Sequence, residues 1–207
     1  MEIPILFSTP MVQAILANRK TMTRRTRNLE EINNNPWQWE FVETVGRSAL
    51  FQNKKTGELR YIRCPYGQPG DILWVRETWY KNYPHEYGRY WYRADGEEID
   101  MPTIYGGTAI YGKADGLKWR PSIHMPREAA RLFLTNKKVR VERLWDISEE
   151  DALKEGARPG DKYGGENSTP ALTSRQSFMW LWQRLNAKRG YGWEKNTYVW
   201  VVEFERQ

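Results

Sequence analysis

A helical pattern followed at once by a basic stretch is the feature that most constrains the fold of this chain. Val12, Ile15 and Leu16 recur at helical spacing, which predicts an amphipathic helix with one buried face. We expect this helix to end at Asn18, directly before the basic residues 19–25. A helix packed on a core would hold those basic side chains on a rigid support.

The basic stretch reads Arg19-Lys20-Thr21-Met22-Thr23-Arg24-Arg25. If it is a strand, alternate side chains share a face, with Lys20, Met22 and Arg24 on one side and Thr21, Thr23 and Arg25 on the other. The exit from the helix can bend Lys20 out of that register, so that its amine approaches the Thr23 hydroxyl and polarises it. A basic surface strand with solvated charges is the plainer interpretation, and the residues alone favour it.

The remaining periodic segments predict an α+β fold. Apolar alternation or continuous apolar runs predict strands at residues 3–7, 37–42, 59–62, 71–78, 90–93, 138–144 and 198–204. Apolar spacing and capping residues predict helices at residues 127–134, 148–155 and 178–185. Segments rich in turn residues lie at 28–60, 80–118 and 158–172, and we interpret them as insertions into a single domain spanning residues 1–207.

Composition predicts a soluble protein of the cytoplasm. The chain has 207 residues, 28% of them charged, and a mean hydropathy of −0.81, with no apolar run long enough to span a membrane. Its N-terminus lacks a basic segment followed by an apolar run, so no secretory signal is expected. A single cysteine, Cys64, excludes an internal disulfide and is typical of a reducing compartment. We expect no membrane partner.

Charge and aromatic content permit nucleic-acid binding without requiring it. The net charge is +6, and the chain contains 11 tryptophans and 12 tyrosines. Aromatic rings interspersed with Arg and Lys can stack on unpaired bases, although most rings in a small fold fill its core. His85, His124 and Cys64 lack metal-ligand spacing, and no glycine-rich phosphate loop is present. We therefore expect no metal and no cofactor.

Several segments together resemble ASCH-domain proteins of the PUA-like superfamily, in the form found in phages and prophages. They are Ile15–Arg25, Pro65–Glu77, Lys118–Arg127 and Val199–Phe204. The resemblance implies a PUA-like mixed β-barrel flanked by short helices, with loop and hairpin insertions. It also implies a host bacterial cytoplasm if a phage encodes the protein. Because one fold serves many functions, the resemblance alone does not decide the activity.

A small bacterial enzyme of this family removes the acetyl group from acetylcytidine through a Lys, a Thr and a Glu. By resemblance these roles fall on Lys20, Thr23 and Glu155 as a metal-independent catalytic set. Glu155 lies at the end of a short predicted helix, where a carboxylate opposes the helix dipole, and this placement suggests a partner such as Lys20. Glu77 is the alternative carboxylate, although the exposed end of a strand is its plainer position. This chain is about twice as long as that enzyme, so its extra segments can close or reshape the pocket.

The remaining candidates are substrate-binding residues, namely Arg24, Arg25, Glu77, Trp119, Arg120, Ser122 and His124. Trp119 can serve as a stacking platform and Arg120 as an anion clamp. Ser122 and His124 are too close in sequence to suggest a serine nucleophile with its base. The expected partner is RNA, another single-stranded nucleic acid or a modified nucleoside. Two alternatives to a deacylase stay open: a non-catalytic module that binds RNA or a modified base, and a ribonuclease.

Overall fold

The computed structural model describes residues 1–81, 90–96, 101–105, 108–112, 118–161 and 173–207. The predicted insertions at 80–118 and 158–172 lie partly outside these ranges. The strands are β1 Glu2–Leu6, β2 Met22–Arg25, β3 Trp39–Val45, β4 Ser48–Asn53, β5 Leu59–Arg63, β6 Ile72–Arg76, β7 Trp79–Lys81, β8 Tyr90–Tyr92, β9 Met101–Tyr105, β10 Thr108–Gly112, β11 Phe133–Arg143 and β12 Tyr198–Arg206. The α-helices are α1 Thr9–Leu16, α2 Glu30–Asn34, α3 Glu149–Lys154 and α4 Ser174–Asn186.

A mixed five-stranded sheet forms the centre of the fold, in the order β1-β6-β11-β12-β2. Strands β1 and β6 are parallel, and the other pairs are antiparallel. The predicted alternation in β6 is confirmed, because Leu73 and Val75 are buried while Ile72 and Trp74 are half-buried. The α+β class is thereby confirmed.

The expected closed barrel is not formed by the strands that the structure describes. The main sheet is open, with β1 and β2 as its two edges. Near these edges the Arg25 guanidinium donates a hydrogen bond to the Leu6 carbonyl at 2.7 Å and lies over the Phe7 ring, 4.9 Å from its centroid. A side chain therefore bridges the gap that a strand ladder would close in a barrel.

The segment 28–60 is built into the same core as the main sheet. Its strands form an antiparallel sheet in the order β3-β4-β5. Ile32, Trp39 and Phe51 are buried in one apolar cluster with Ile5 of β1 and other residues of the main sheet. The segment thus contributes to the hydrophobic centre of the molecule.

The helix predicted at 127–134 is wrong. Only a 3-10 turn, Arg127–Ala129, forms there, and β11 begins at Phe133. Phe133 and Leu134 pair with Trp74 and Leu73 of β6. Pairing with β6 buries Leu134 completely, and this tertiary gain outweighs the local helical preference.

Helices α3 and α4 pack beside β2 and form a second core. The predicted cap of α3 is confirmed, since the Ser148 hydroxyl accepts a hydrogen bond from the Asp151 N–H at 3.0 Å. Gly156 follows the helix with φ +88°, a left-handed conformation that favours glycine. The second core includes Met22 of β2 and Phe178 of α4. Within the described residues, no helix has the length and apolar character needed to cross a membrane.

Candidate functional site

A cavity of about 1010 Å³ opens between the end of β1, the edge strand β2 and helix α4. Its volume is at the upper end of the roughly 300–1,000 Å³ typical of ligand pockets. The lining from β1 and α1 comprises Leu6, Phe7, Ser8, Thr9, Pro10 and Met11. From β2, the following turn and the start of α2 come Thr23, Arg24, Arg25, Thr26, Arg27 and Glu30. From α4 and its C-terminal turn come Phe178, Leu181, Trp182, Leu185, Asn186 and Arg189. Tyr66, Thr78, Arg93, Ser122 and Glu155 complete it.

Lys20 and Glu155 form a buried ion pair at this cavity. The Lys20 ammonium donates to a Glu155 carboxylate oxygen at 2.7 Å and to the Glu155 backbone carbonyl at 2.9 Å. The two residues are only 2% and 6% exposed. Glu155 lines the cavity, whereas Lys20 lies outside the set of lining residues. The structure thus brings these two predicted residues together, with the carboxylate nearer to a ligand than the amine.

Burial makes the Lys20 amine easier to deprotonate. Desolvation lowers the pKa of Lys20 below its ordinary value, and the charges of Arg25 and Arg24 act in the same direction. The neighbouring Glu155 carboxylate opposes the shift without cancelling it. A lysine with a lowered pKa spends more time as the neutral amine that can accept a proton.

Arg24 is enclosed by carboxylates and is not free to clamp a substrate. Its side chain is fully buried, and its guanidinium donates to Glu142 at 3.1 Å, to Asp151 at 2.7 Å and to Glu155 at 3.3 Å. Arg140 joins the same network through Asp151 at 2.7 Å. Although burial disfavours the charged form, Glu155 and Glu142 raise the pKa of Arg24 above its ordinary value. Arg24 therefore holds Glu155 in place, so we assign it a positioning role.

Thr23 lies on the opposite face of β2 from Arg24 and also lines the cavity. Its hydroxyl oxygen accepts a hydrogen bond from the Arg25 guanidinium at 3.1 Å. Because the oxygen is the acceptor in this bond, the hydroxyl proton is left to be donated elsewhere. A guanidinium at this distance also favours negative charge on the Thr23 oxygen.

The edge position of β2 explains how residues from both of its faces meet at one cavity. Among the described strands, β2 pairs only with β12. The space beyond its free edge can therefore be reached by Thr23 and Arg25 from one face and by Arg24 from the other. Glu155 reaches the cavity from the end of α3. The next residue, Gly156, packs beside Lys20, since a Cβ added to Gly156 would lie 3.5 Å from the Lys20 Cβ.

The other predicted binding residues divide into two groups. Ser122 and Arg25 line the cavity, whereas Glu77, Trp119, Arg120 and His124 lie outside its lining.

Glu77 is buried, but it pairs with the Arg131 guanidinium at 3.0 Å rather than with Lys20. Trp119 packs edge-on against Tyr80, and Arg120 lies over the ring of Trp79, 5.1 Å from its centroid. The carboxylate that meets Lys20 is thus Glu155 and not Glu77.

Several lining residues were not singled out from the sequence as site residues. Phe7 and Tyr66 were not singled out at all, and Phe178 and Trp182 form the apolar stripe that predicts α4. Arg27, Arg93 and Arg189 give the cavity more positive charge than its two glutamates balance. The sequence signal nearest to these residues is the apolar stripe that predicts α4. In the structure Leu181 and Leu185 on that stripe keep part of their surface exposed and line the cavity.

Within the described residues, no group of three or more His, Cys, Asp or Glu side chains is arranged to hold a metal ion. No protein-family model matches the chain, and neither a curated protein nor a solved structure is similar to it. The geometry of this cavity is therefore the basis for a proposed function.

Proposed function

We propose that this chain is a hydrolase that removes an acyl group from a modified cytidine, with its site at the cavity beside β2. The observation that carries the proposal is that Thr23 and Glu155 line one cavity while Glu155 holds the buried Lys20 amine at 2.7 Å. A hydroxyl, a carboxylate and an amine of lowered pKa are the groups that nucleophilic amide cleavage needs. The four sequence segments described above support the further proposal of an ASCH-domain protein of phage type with a PUA-like fold.

In the proposed reaction, the Thr23 oxygen attacks the amide carbonyl carbon and its proton passes to the Lys20–Glu155 pair. The Arg25 guanidinium, which already donates to this oxygen, stabilises the developing alkoxide. When the tetrahedral intermediate collapses, the C–N bond breaks and the pair returns the proton to the leaving amine. Water then cleaves the resulting acyl-threonine ester, which releases the carboxylic acid and restores Thr23.

The test is to incubate the protein with acetylcytidine and to follow cytidine and acetate by chromatography. We expect turnover by the wild type and none above background by Thr23→Val, since valine keeps the shape and lacks the nucleophile. Thr21→Val is the matched control, because Thr21 is exposed on the same stretch and lies outside the cavity lining. No turnover by the wild type, or equal turnover by Thr23→Val, contradicts the proposal.

A second candidate is a module that binds RNA or a modified base without changing it. The observation that favours it is the mixed lining of the cavity, in which Phe7, Tyr66 and Trp182 accompany the arginines. Aromatic faces and guanidinium groups together suit a stacked base and its phosphate. Salt-dependent binding of single-stranded RNA that is recovered intact and still acylated would favour this module, whereas shortened RNA would favour a ribonuclease.

A further inference from the structure

Several arginines line the cavity. Arg25, Arg27 and Arg189 all line it, although they come from β2, the turn after β2 and the turn after α4. Each of the three charges also acts on the phenol of Tyr66, which lines the same cavity. Three guanidinium groups from separate elements therefore lie close enough to act electrostatically on one side chain of the cavity.

Arg25 also links β2 to Leu6 and Phe7, but its charge is not balanced by a described carboxylate, and the same is true of Arg27 and Arg189. Within the described part of the chain, none of the three arginines forms an ion pair with a carboxylate. Arg25 donates to Thr23 and to the Leu6 carbonyl, and Arg189 donates to the Asn186 side chain at 3.3 Å. Arg24, in contrast, has three carboxylate partners. Arginines without carboxylate partners in a concave site fit the planar, bidentate recognition of a phosphate group.

The cavity carboxylates lie elsewhere or are already engaged. Glu155 is held by Lys20 and Arg24. Glu30 is exposed, and one of its oxygens accepts a hydrogen bond from the Asn28 backbone N–H at 3.2 Å. The Glu155 charge acts on Arg25, but among the described residues neither carboxylate forms an ion pair with Arg25, Arg27 or Arg189. An anion entering beside Tyr66 therefore meets an attractive field.

We propose that the site takes a phosphorylated nucleotide in preference to a free nucleoside, with the phosphate held by Arg25, Arg27 and Arg189 beside Tyr66. This inference depends on the proposed function, because it names the substrate class of the same cavity. The phosphate can belong to a mononucleotide or to the backbone of a single-stranded RNA. In both cases the arginines anchor the phosphate while Thr23 faces the acylated base.

The test uses product-like ligands that cannot be turned over, so that binding is measured separately from catalysis. Cytidine, cytidine monophosphate and a trinucleotide of cytidines are titrated into the full chain by calorimetry at low and at high salt. We expect the monophosphate to bind about tenfold or more tightly than cytidine at low salt, because charge-assisted contacts strengthen binding. The preference should shrink as salt screens the contacts.

Two variants connect that preference to the proposed residues. Arg27→Gln combined with Arg189→Gln should bring the ratio of the two affinities close to one. Lys188→Gln removes a positive charge next to Arg189 but outside the cavity lining, and it should keep the ratio. A trinucleotide that binds more tightly than the monophosphate identifies an internal phosphodiester as the natural anchor, and one that binds no better identifies a terminal phosphate.

Equal affinities for cytidine and its monophosphate, or no binding of the monophosphate, overturn the inference. The same result together with turnover of acetylcytidine would leave the proposed hydrolase intact. A phosphate preference without turnover would instead support the inference and contradict the hydrolase.

Discussion

Lys20 is a charged group whose surroundings set both its protonation and the stability of the chain around it. Its ammonium is buried away from water, and the Glu155 carboxylate supplies most of the compensation for that desolvation. A buried ion pair of this kind is costly to break from one side and inexpensive to replace as a whole. This asymmetry gives a direct test of whether the pair is retained for stability or for chemistry.

Lys20→Met should lower the free energy of unfolding by about 3 kcal/mol, because the Glu155 carboxylate stays buried without its nearest cation. Adding Glu155→Leu should restore much of this loss, since the double variant buries no unpaired charge. Urea unfolding followed by circular dichroism measures both effects. Strictly additive losses in the two single variants and the double variant would show that the pair is not energetically coupled.

The pH dependence of stability should carry the signature of the lowered Lys20 pKa. Between that lowered value and the ordinary value of 10.5, the unfolded chain binds more protons than the folded chain. Stability contributed by Lys20 therefore rises with pH across this window and is lost as the pH falls through the folded pKa. We expect wild type to gain stability, relative to Lys20→Met combined with Glu155→Leu, as the pH approaches about 10. An unchanged difference over this range, measured by urea unfolding, would contradict the shift.

At the level of single elements, the end of α3 sets the position of Glu155. Gly156 ends this helix with φ +88°. A Cβ added to Gly156 would lie 3.5 Å from the Cβ atoms of Ala14 in α1 and of Lys20. These are ordinary contacts, so the conformation rather than the space demands glycine. The turn that ends α3 thereby fixes the carboxylate beside the amine.

Gly156→Ala should destabilise the protein by about 1–2 kcal/mol, the cost of a left-handed conformation for a residue with a side chain. If the chain is the proposed hydrolase, Gly156→Ala should also lower acetylcytidine turnover, because relief of the strain shifts the adjacent Glu155. Gly160→Ala is the matched control, since Gly160 has φ +90° with nothing within 4 Å of the added Cβ. Thermal unfolding and acetylcytidine turnover separate the two effects, and equal activity losses in both variants would rule out a positional role for Gly156.

The apolar pattern of the sequence predicts an element correctly where the apolar face of that element is the face buried in the fold. The alternation in β6, the continuous apolar run of β12 and the apolar stripe of α4 are examples, because each is buried as its pattern predicts. The helix expected at 127–134 failed because pairing of Phe133 with β6 is a long-range contact that no local pattern contains. Element boundaries also shifted, as when α1 ended at Leu16 instead of Asn18.

The candidate site was only partly predictable for the same reason. The resemblance supplies Lys20, Thr23 and Glu155 as a set. The local hints are the short spacing between Lys20 and Thr23 after a helix and the unfavourable position of Glu155 at a helix end. Nothing local indicates that Tyr66 and Arg189 would meet at one cavity, since chain folding alone brings them together. The sequence also does not show that Arg24 would be neutralised by carboxylates from β11 and α3.

On the scale of the whole molecule, the segment 28–60 is a structural part of the domain. Besides its apolar contacts, Asn33 exchanges two hydrogen bonds with the backbone of Tyr198, at 2.7 and 2.9 Å. Asn33 is completely buried, and its two bonds satisfy the backbone N–H and C=O groups of Tyr198 at the start of β12. The segment and the main sheet should therefore fold as one cooperative unit.

Replacing residues 30–60 by a short Gly-Ser linker should abolish cooperative unfolding, because it removes Ile32, Trp39 and Phe51 from the shared core. The intact chain should instead show coincident urea transitions by circular dichroism and by tryptophan fluorescence. Replacing only the hairpin tip at Lys54–Gly57 is the control, since its side chains are exposed. A cooperative transition in the shortened protein would show that the segment is dispensable.

If the cavity binds a modified cytidine as proposed, the free edge of β2 has a consequence for how the base is recognised. Peptide groups along that edge have no strand partner among the described residues, and they present N–H and C=O groups in turn, as the hydrogen-bonding edge of a nucleobase does. Base selectivity that arises from backbone hydrogen bonds does not depend on the identity of the side chains in β2. Side-chain replacement in β2 would then change catalytic rate far more than base preference, and a proline, which deletes an N–H, would be the substitution that alters the preference.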